Sequence, residues 1–335
     1  MRRMLLPVIA LVAITPAGCS AEDDGDGEAG TGGPGTSPTA AFTGTPDGVR
    51  VTDLDAGPVG VAAVDGAPWV VVPSDGTVRT DAGEASTSRK VAIGGTPLRL
   101  VTTPDGVWVS DIERGLLLRI DPATGTVDRR TALRPVGSEP EGLGFDGTSV
   151  WVVDQAHNRV LPLDPGTGRW GRPHEVGVGP RLLGTGPGGV WVANFVGGSV
   201  SGVGPDGDDR EQALDTCLSP QGVAEAAGVV WVTCTTEDRV LGLDAETLEV
   251  VATFDGLDGA DAVVADGETV YAVGQAGPTV WTVDATAREV VARVTLDDAP
   301  VTSENVGAAV VGDELAVTHP DASRLYEVPR SLLAP

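Results

Sequence analysis

The residues of this chain that could do chemistry are few, and most recur at a fixed spacing. Glu141, Arg181, Gln221 and Asp261 follow one another every forty residues. A second series, Asp111, Asp154 and Asn194, is offset from the first, and Cys234 and His319 hold equivalent places further on. Mixed charges in such series suit a polar small molecule or a peptide. Asp111, Glu141 and Asp154 together also offer oxygens for a hard divalent cation. His319 with Glu141 or Asp154 would supply a general base and an acidic partner. Each reading has a plainer counterpart. An Asp or Asn that ends a strand commonly caps the next turn, and a charged loop residue needs only solvent.

The familiar catalytic motifs are absent. The three histidines, His157, His174 and His319, stand far apart in sequence. His157 lies in the turn Gln155-Ala156-His157-Asn158-Arg159, and His174 is expected at the periphery. There is no His-x-His, His-Glu-x-x-His or Cys-x-x-Cys, so no motif supports a transition-metal site. Neither a Gly-x-Ser-x-Gly elbow nor a Walker loop occurs. No catalytic residue, metal ligand or cofactor is therefore nominated, and a divalent cation at the mouth of the fold's central channel stays open.

The spacing belongs to a repeat. An apolar-Trp-Val run centres on Trp69, Trp108, Trp151, Trp191 and Trp231, and the same slot holds Tyr271 and Ala316. Successive slots lie 39, 43, 40, 40, 40 and 45 residues apart. Eleven residues before them stand Pro58, Pro97, Pro140, Pro180, Pro220, Ala260 and Asn305, so two strands keep a constant length. Pairs such as Asp65-Gly66 and Asp146-Gly147 supply the positive φ of a tight hairpin. The third strand runs into Asp121-Pro122-Ala123-Thr124-Gly125 or Asp164-Pro165-Gly166-Thr167-Gly168, where Asp caps and Gly takes the left-handed position. Asp244 and Asp284 begin looser versions. A fourth strand, as in 289–296, completes each unit.

Four antiparallel strands repeated seven times predict an all-β fold, a seven-bladed β-propeller. The seventh unit supplies three strands, near 308–311, 315–318 and 324–328. The segment 48–55 stands before Pro58 as a fourth strand should, and is expected to complete the last blade and close the ring. One large aromatic per blade then reads as core. Glu141, Arg181, Gln221 and Asp261 fall ten residues before the Trp slot on four consecutive blades. Asp111, Asp154, Asn194, Cys234 and His319 fall three after it. Both rings belong to one mouth of the central channel, which is where a site grafted on a repeated scaffold is sought.

A proline-led first strand, a Val-Trp-Val second strand and an Ile-Asp-Pro-x-Thr-Gly turn resemble the YVTN-type and NHL-type propellers. The pattern is also similar to the streptogramin-lyase-like group of bacterial propellers, over residues 49–329. The first two resemblances imply a binding or scaffolding module. The last implies elimination that opens a cyclic depsipeptide, with a histidine base, a nearby Glu and a divalent metal at the channel. This chain has no Glu-x-His pair on a second strand, since Val317-Thr318 precede His319, so no catalytic role carries across.

Residues 1–18 read as a lipoprotein signal peptide. Arg2 and Arg3 precede a short apolar run from Met4 to Ile14, too short to span a bilayer. Thr15-Pro16-Ala17-Gly18-Cys19 resembles the bacterial lipobox, with Pro16 where Leu is usual, and implies lipidation of Cys19. The alternative is an ordinary secretory signal cut near Ala21. Residues 19–48 are expected to form a disordered acidic tether, because they are Gly, Ser, Thr, Pro, Ala and acids with one large apolar side chain, Phe42. Residues 49–335 are the propeller.

The formal net charge of −26 argues against nucleic acid and against an electrostatic grip on anionic lipid. Cys217 and Cys234 fall at the same mouth of one blade, and outside the cytoplasm they are expected to pair. The chain thus reads as an extracytoplasmic monomer, held to the membrane through Cys19. Its propeller binds a small molecule or protein partner at the mouth or a blade rim. A metal-dependent lyase or hydrolase at the mouth is the alternative.

Overall fold

The computed structural model describes residues 44–334 apart from 85 and 304. The expected signal peptide, Cys19 and most of the tether lie outside the described residues. The described chain forms seven four-stranded antiparallel sheets. Blade 1 comprises Val61–Val64, Ala67–Val72, Thr77–Thr80 and Arg89–Ala92, and the next five blades repeat the pattern in order along the chain. Blade 7 takes Ala308–Val311, Glu314–His319 and Arg324–Pro329 from the C-terminal end and Arg50–Asp53 from the N-terminal end. Arg50 pairs with Glu327 and Asp53 with Arg324, so the outermost strand of the last blade comes from the other end of the chain. The seven-bladed, N-terminally closed propeller expected from the repeat is the observed fold.

Ring closure leaves no open edge between the first and last units. Side chains secure it: the Arg50 guanidinium donates to Glu327 at 2.6 and 2.8 Å and to Glu314 at 2.8 Å. Residues 44–48, assigned from sequence to the tether, lie against the propeller. Thr45 Oγ1 donates to the Leu296 carbonyl at 2.9 Å, and the Val49 N–H reaches the Pro46 carbonyl.

Second strands are buried on both faces because each blade packs between two neighbours. Trp108, Trp191 and Trp231 are fully buried, and Trp69, Trp151 and Tyr271 nearly so. An aromatic removed from such a site costs about 3–5 kcal/mol, so this ring is core. Blade 7 has Ala316 in the slot, with Tyr326 of the next strand buried beside it. The outermost strands alternate exposed and half-buried residues, as in Thr126–Ala132.

The turns follow their local chemistry. Asp65 and Gly66 both hold positive φ, 49° and 81°, as a type I′ hairpin requires. Asp164 accepts the N–H groups of Gly166 and Thr167, and Asp244 and Asp284 do the same for their turns. His174 does sit in an outermost strand, yet its side chain is buried. Its ring lies 5.7 Å from that of Trp151, and Nδ1 pairs with Asp209 of the next blade at 2.6 Å.

Candidate functional site

First strands of blades 2 to 6 open with a β-bulge. Pro140 faces Asp154 and Leu143 faces Val152, so three steps on one strand meet two on the other. The same one-residue excess follows Pro97, Pro180, Pro220 and Ala260. A bulge twists its strand and re-aims a side chain. Here it falls on Glu141, Arg181, Gln221 and Asp261, the inner ring predicted from sequence.

The bulged backbone is held by the neighbouring blade. Ser110 Oγ donates to the Glu141 carbonyl at 2.8 Å, Thr233 Oγ1 to the Asp261 carbonyl at 2.6 Å, and Thr318 Oγ1 to the Val59 carbonyl at 2.8 Å. Gly142 and Gly222 follow the ring residues where a Cβ would stand 2.6 Å from the next blade's carbonyl oxygen. Any larger residue there would push the blades apart.

The inner ring forms one network that joins blades 3, 4, 6 and 7 and passes over blade 5. Arg181 Nε and Nη2 lie 3.3 Å from Glu141 Oε1, and Nη2 lies 3.5 Å from Asn305 Oδ1. Asn305 Nδ2 donates to Asp261 Oδ1 and the Val306 N–H to Oδ2, both at 2.8 Å. Burial pushes the Asp261 carboxyl up to about 6, against the pull of those two donors and of Arg99 and Arg181. Gln221 is fully buried between Arg181 and Asp261 in the blade order, and neither atom of its amide has a partner.

The outer ring is different. Asp111 accepts the Thr96 N–H at 3.2 Å and pairs with the Arg114 side chain. Asp154 accepts the Glu139 N–H at 3.0 Å, Arg159 Nε and Nη2 at 2.9 and 2.7 Å, and lies 3.1 Å from His157 Nδ1. Burial alone would raise the Asp154 carboxyl, but these partners outweigh it and hold it below the ordinary value. Asn194 donates to Ser199 and Ser201, both at 2.9 Å, and keeps one unpartnered oxygen. Cys234 is bonded to Cys217, 17 residues away. In the chain-entropy model such a loop stabilises by about 3 kcal/mol.

His319 belongs to this group. The Ala322 N–H donates to Nδ1 at 3.2 Å, which leaves the proton on Nε2, and Nε2 donates to the Ala299 carbonyl at 3.1 Å. The ring is fully buried with both nitrogens held by backbone. His319 is thus a turn-capping side chain, and Asp111 caps likewise by accepting the Arg114 N–H, while Asp154 ties the preceding connection to its strand through the Glu139 N–H and makes no cap on its own turn. Capping, the plainer reading of Asp111 and Asp154 from sequence, describes Asp111; His319, whose plainer reading is a lone surface histidine, is instead fully buried.

A divalent cation held by Asp111, Glu141 and Asp154 does not fit this arrangement. Each carboxylate faces an arginine, Arg114, Arg181 and Arg159 respectively. Among the described residues, three ligand atoms gather within 4.8 Å of one another at Cys217, Cys234 and Glu237, where the two sulfurs are already bonded to each other.

Two spaces are built from the inner strands and their mouth. The central channel encloses about 180 Å³ and is lined by first strands of all seven blades. Nine residues before the Trp slot stand Gly60, Arg99, Gly142, Leu182, Gly222, Ala262 and Gly307, so Arg99 alone brings charge to that level. At the mouth a pocket of about 270 Å³ is bounded by Arg181, Gln221, Phe195, Thr235, Gln275 and Ser303. The Thr235 hydroxyl oxygen is buried and unpartnered, and the Arg181 guanidinium lies 5.3 Å from the centre of the Phe195 ring. A larger open groove, about 770 Å³, lies at the rim between blades 6 and 7. There Arg330 is paired with Asp266 and Tyr271, and one buried hydroxyl, Thr282, lacks a partner. The mouth is smaller but gathers three such atoms on Gln221 and Thr235.

Arg99 and Asn305 stand out in the repeat as the polar members of slots held elsewhere by glycine, proline or apolar residues. Phe195, Thr235 and Gln275 each stand four residues after the aromatic slot, a forty-residue series readable in the repeat, whereas Ser303 lies in a connecting segment outside the regular slots.

Fold and mouth together define a seven-bladed β-propeller whose polar site is assembled from neighbouring blades. The chain is similar to the streptogramin-lyase-like group of such propellers. A virginiamycin B lyase from Nocardia farcinica is 28% identical over 189 residues, covering 56% of this chain and 66% of that protein, a little under two thirds of its length. The structure of virginiamycin B lyase from Staphylococcus aureus superposes with a TM-score of 0.71 at 14% identity, covering 83% of this chain and 98% of that one. Hydrazine synthase from Kuenenia stuttgartiensis superposes with a TM-score of 0.66 at 14% identity, covering 84% and 98%. At such identities the structural likeness speaks for the fold alone. No protein-family model matches the chain.

Proposed function

We propose that this protein is an extracytoplasmic lipoprotein, tethered through Cys19, whose propeller binds a small polar ligand at the channel mouth. One observation carries the binding reading. Gln221 is fully buried beside the mouth pocket with both amide atoms unpartnered. An unpaired buried polar group costs about 1–3 kcal/mol, and a ligand that satisfied it would recover that energy on binding. Anchoring rests on the sequence of residues 1–48, and it would hold the mouth outside the cytoplasmic membrane.

The lyase reading is favoured by the resemblance to virginiamycin B lyase. The mouth offers it little. His319 is locked by backbone, His157 is turned to Asp154, and His174 is buried at the rim. A base must reach the proton it removes within about 3 Å or through one water, and none of the three faces the pocket.

Native mass spectrometry of protein purified from its own host tests the proposal. The expected result is a diacylglycerol-type mass on Cys19 and a retained small molecule that is lost in Gln221→Leu. Turnover of virginiamycin B by the pure protein would overturn the binding reading in favour of the lyase.

A further inference from the structure

We infer that the mouth pocket takes a neutral, hydroxyl-rich ligand about the size of one sugar ring. The inference rests on the binding reading above and adds the ligand's chemistry.

Charge comes first. The ionic groups nearest Gln221 already face partners, and the two acids behind the wall, Asp321 and Glu237, are taken up by Thr302, Ser303 and Thr236. Arg181 faces Glu141, and Asp261 is held by Asn305 and the Val306 N–H within the field of Arg99 and Arg181. A charged ligand would have to compete with a buried partner, and removing one member of such a pair is strongly unfavourable.

The open groups come second. They are the Gln221 Oε1 and Nε2 and the Thr235 Oγ1, all three unpartnered and out of solvent. One accepts, one donates and one does both. A carboxylate would suit Nε2 and oppose Oε1, and an ammonium would do the reverse. Adjacent hydroxyls give and accept at neighbouring positions, which matches a side-chain amide atom for atom. Gln275 extends the same chemistry along the wall, and Phe195 offers a ring against which the C–H face of a sugar can lie.

Size comes third. The pocket, about 270 Å³, falls just below the roughly 300–1,000 Å³ of drug-sized sites. It suits one ring with its substituents.

Saturation-transfer NMR on the mature protein tests the inference with glucose, N-acetylglucosamine, acetate and N-acetylalanine methylamide as probes. A sugar should bind, and binding should weaken about tenfold or more in Gln221→Leu, the loss expected for a buried hydrogen bond pair. Thr235→Val, a nearly isosteric change, should weaken it in the same direction, and thermal melts confirm that both variants fold. Binding of acetate or the dipeptide mimic without either sugar would overturn the sugar assignment. So would sugar binding that Gln221→Leu leaves unchanged. A non-sugar ligand retained from the host and lost in Gln221→Leu would refute the inference while leaving the binding reading intact. No probe bound and no ligand retained would refute both.

Discussion

The outer ring of the mouth, with Asp111, Asp154 and His319, and the inner ring, with Arg181, Gln221 and Asp261, occupy two slots of the same repeat, yet they use their polar atoms differently. The outer residues end second strands. There the chain must turn at once, so backbone N–H and carbonyl groups lie within reach and take up the side chains. The inner residues sit on bulges of first strands that face the axis, where seven blades converge and the available partners come from other blades. Those partners match well for Asp261, loosely for Arg181 and not at all for Gln221. A buried polar group that folds into its own turn stabilises the scaffold. One aimed at the axis depends on the fit of other blades, and at Gln221 that fit leaves both amide atoms without a partner.

That contrast can be broken. Asp154→Ala would strip Arg159 and the Glu139 N–H of a buried partner, and breaking such a pair costs about 4 kcal/mol. Urea unfolding should register that loss while ligand retention at the mouth stays unchanged. A stable variant that lost its ligand would move the site to the outer ring.

The next effect is on pH. The Asp261 carboxyl, ordinarily near 3.8, is raised to about 6 by burial. The folded protein therefore keeps a proton that the unfolded chain releases between those values. Stability from this group is fully present below about pH 4 and falls as pH rises to about 6. The whole loss is about 3 kcal/mol, because each tenfold change in proton affinity is worth about 1.4 kcal/mol. Asp261→Asn should flatten that part of the pH profile of urea midpoints. An unchanged slope would mean that the carboxyl is ionised throughout and that the inner ring is as well matched as the outer.

The smallest effect has the opposite sign. Gln221→Leu removes an unpaired buried amide, so it should leave stability within about 1 kcal/mol of the original or raise it slightly. A loss larger than about 2 kcal/mol would show that the amide has a structural partner, and the two rings would cease to differ.

The number of blades, the position of each second strand and the closing strand near Arg50 followed from the sequence alone. They depend on local rules: alternation along a strand, Asp-Gly and Asp-Pro-x-Thr-Gly at turns, and an aromatic wherever both faces of a sheet are covered. The Cys217–Cys234 bond was legible for the same reason, since the repeat placed both cysteines at one mouth of one blade. The tertiary structure alone decided which polar residues were already satisfied. Glu141 meets Arg181 forty residues away, and Asp261 meets Asn305 forty-four residues away. His319 is closed off by Ala299 and Ala322. Hydrogen-bond partners are settled by distances of tenths of an ångström between blades. A repeat fixes the slot a residue occupies, but the fit of its neighbours across the axis fixes whether that residue has anything left to offer.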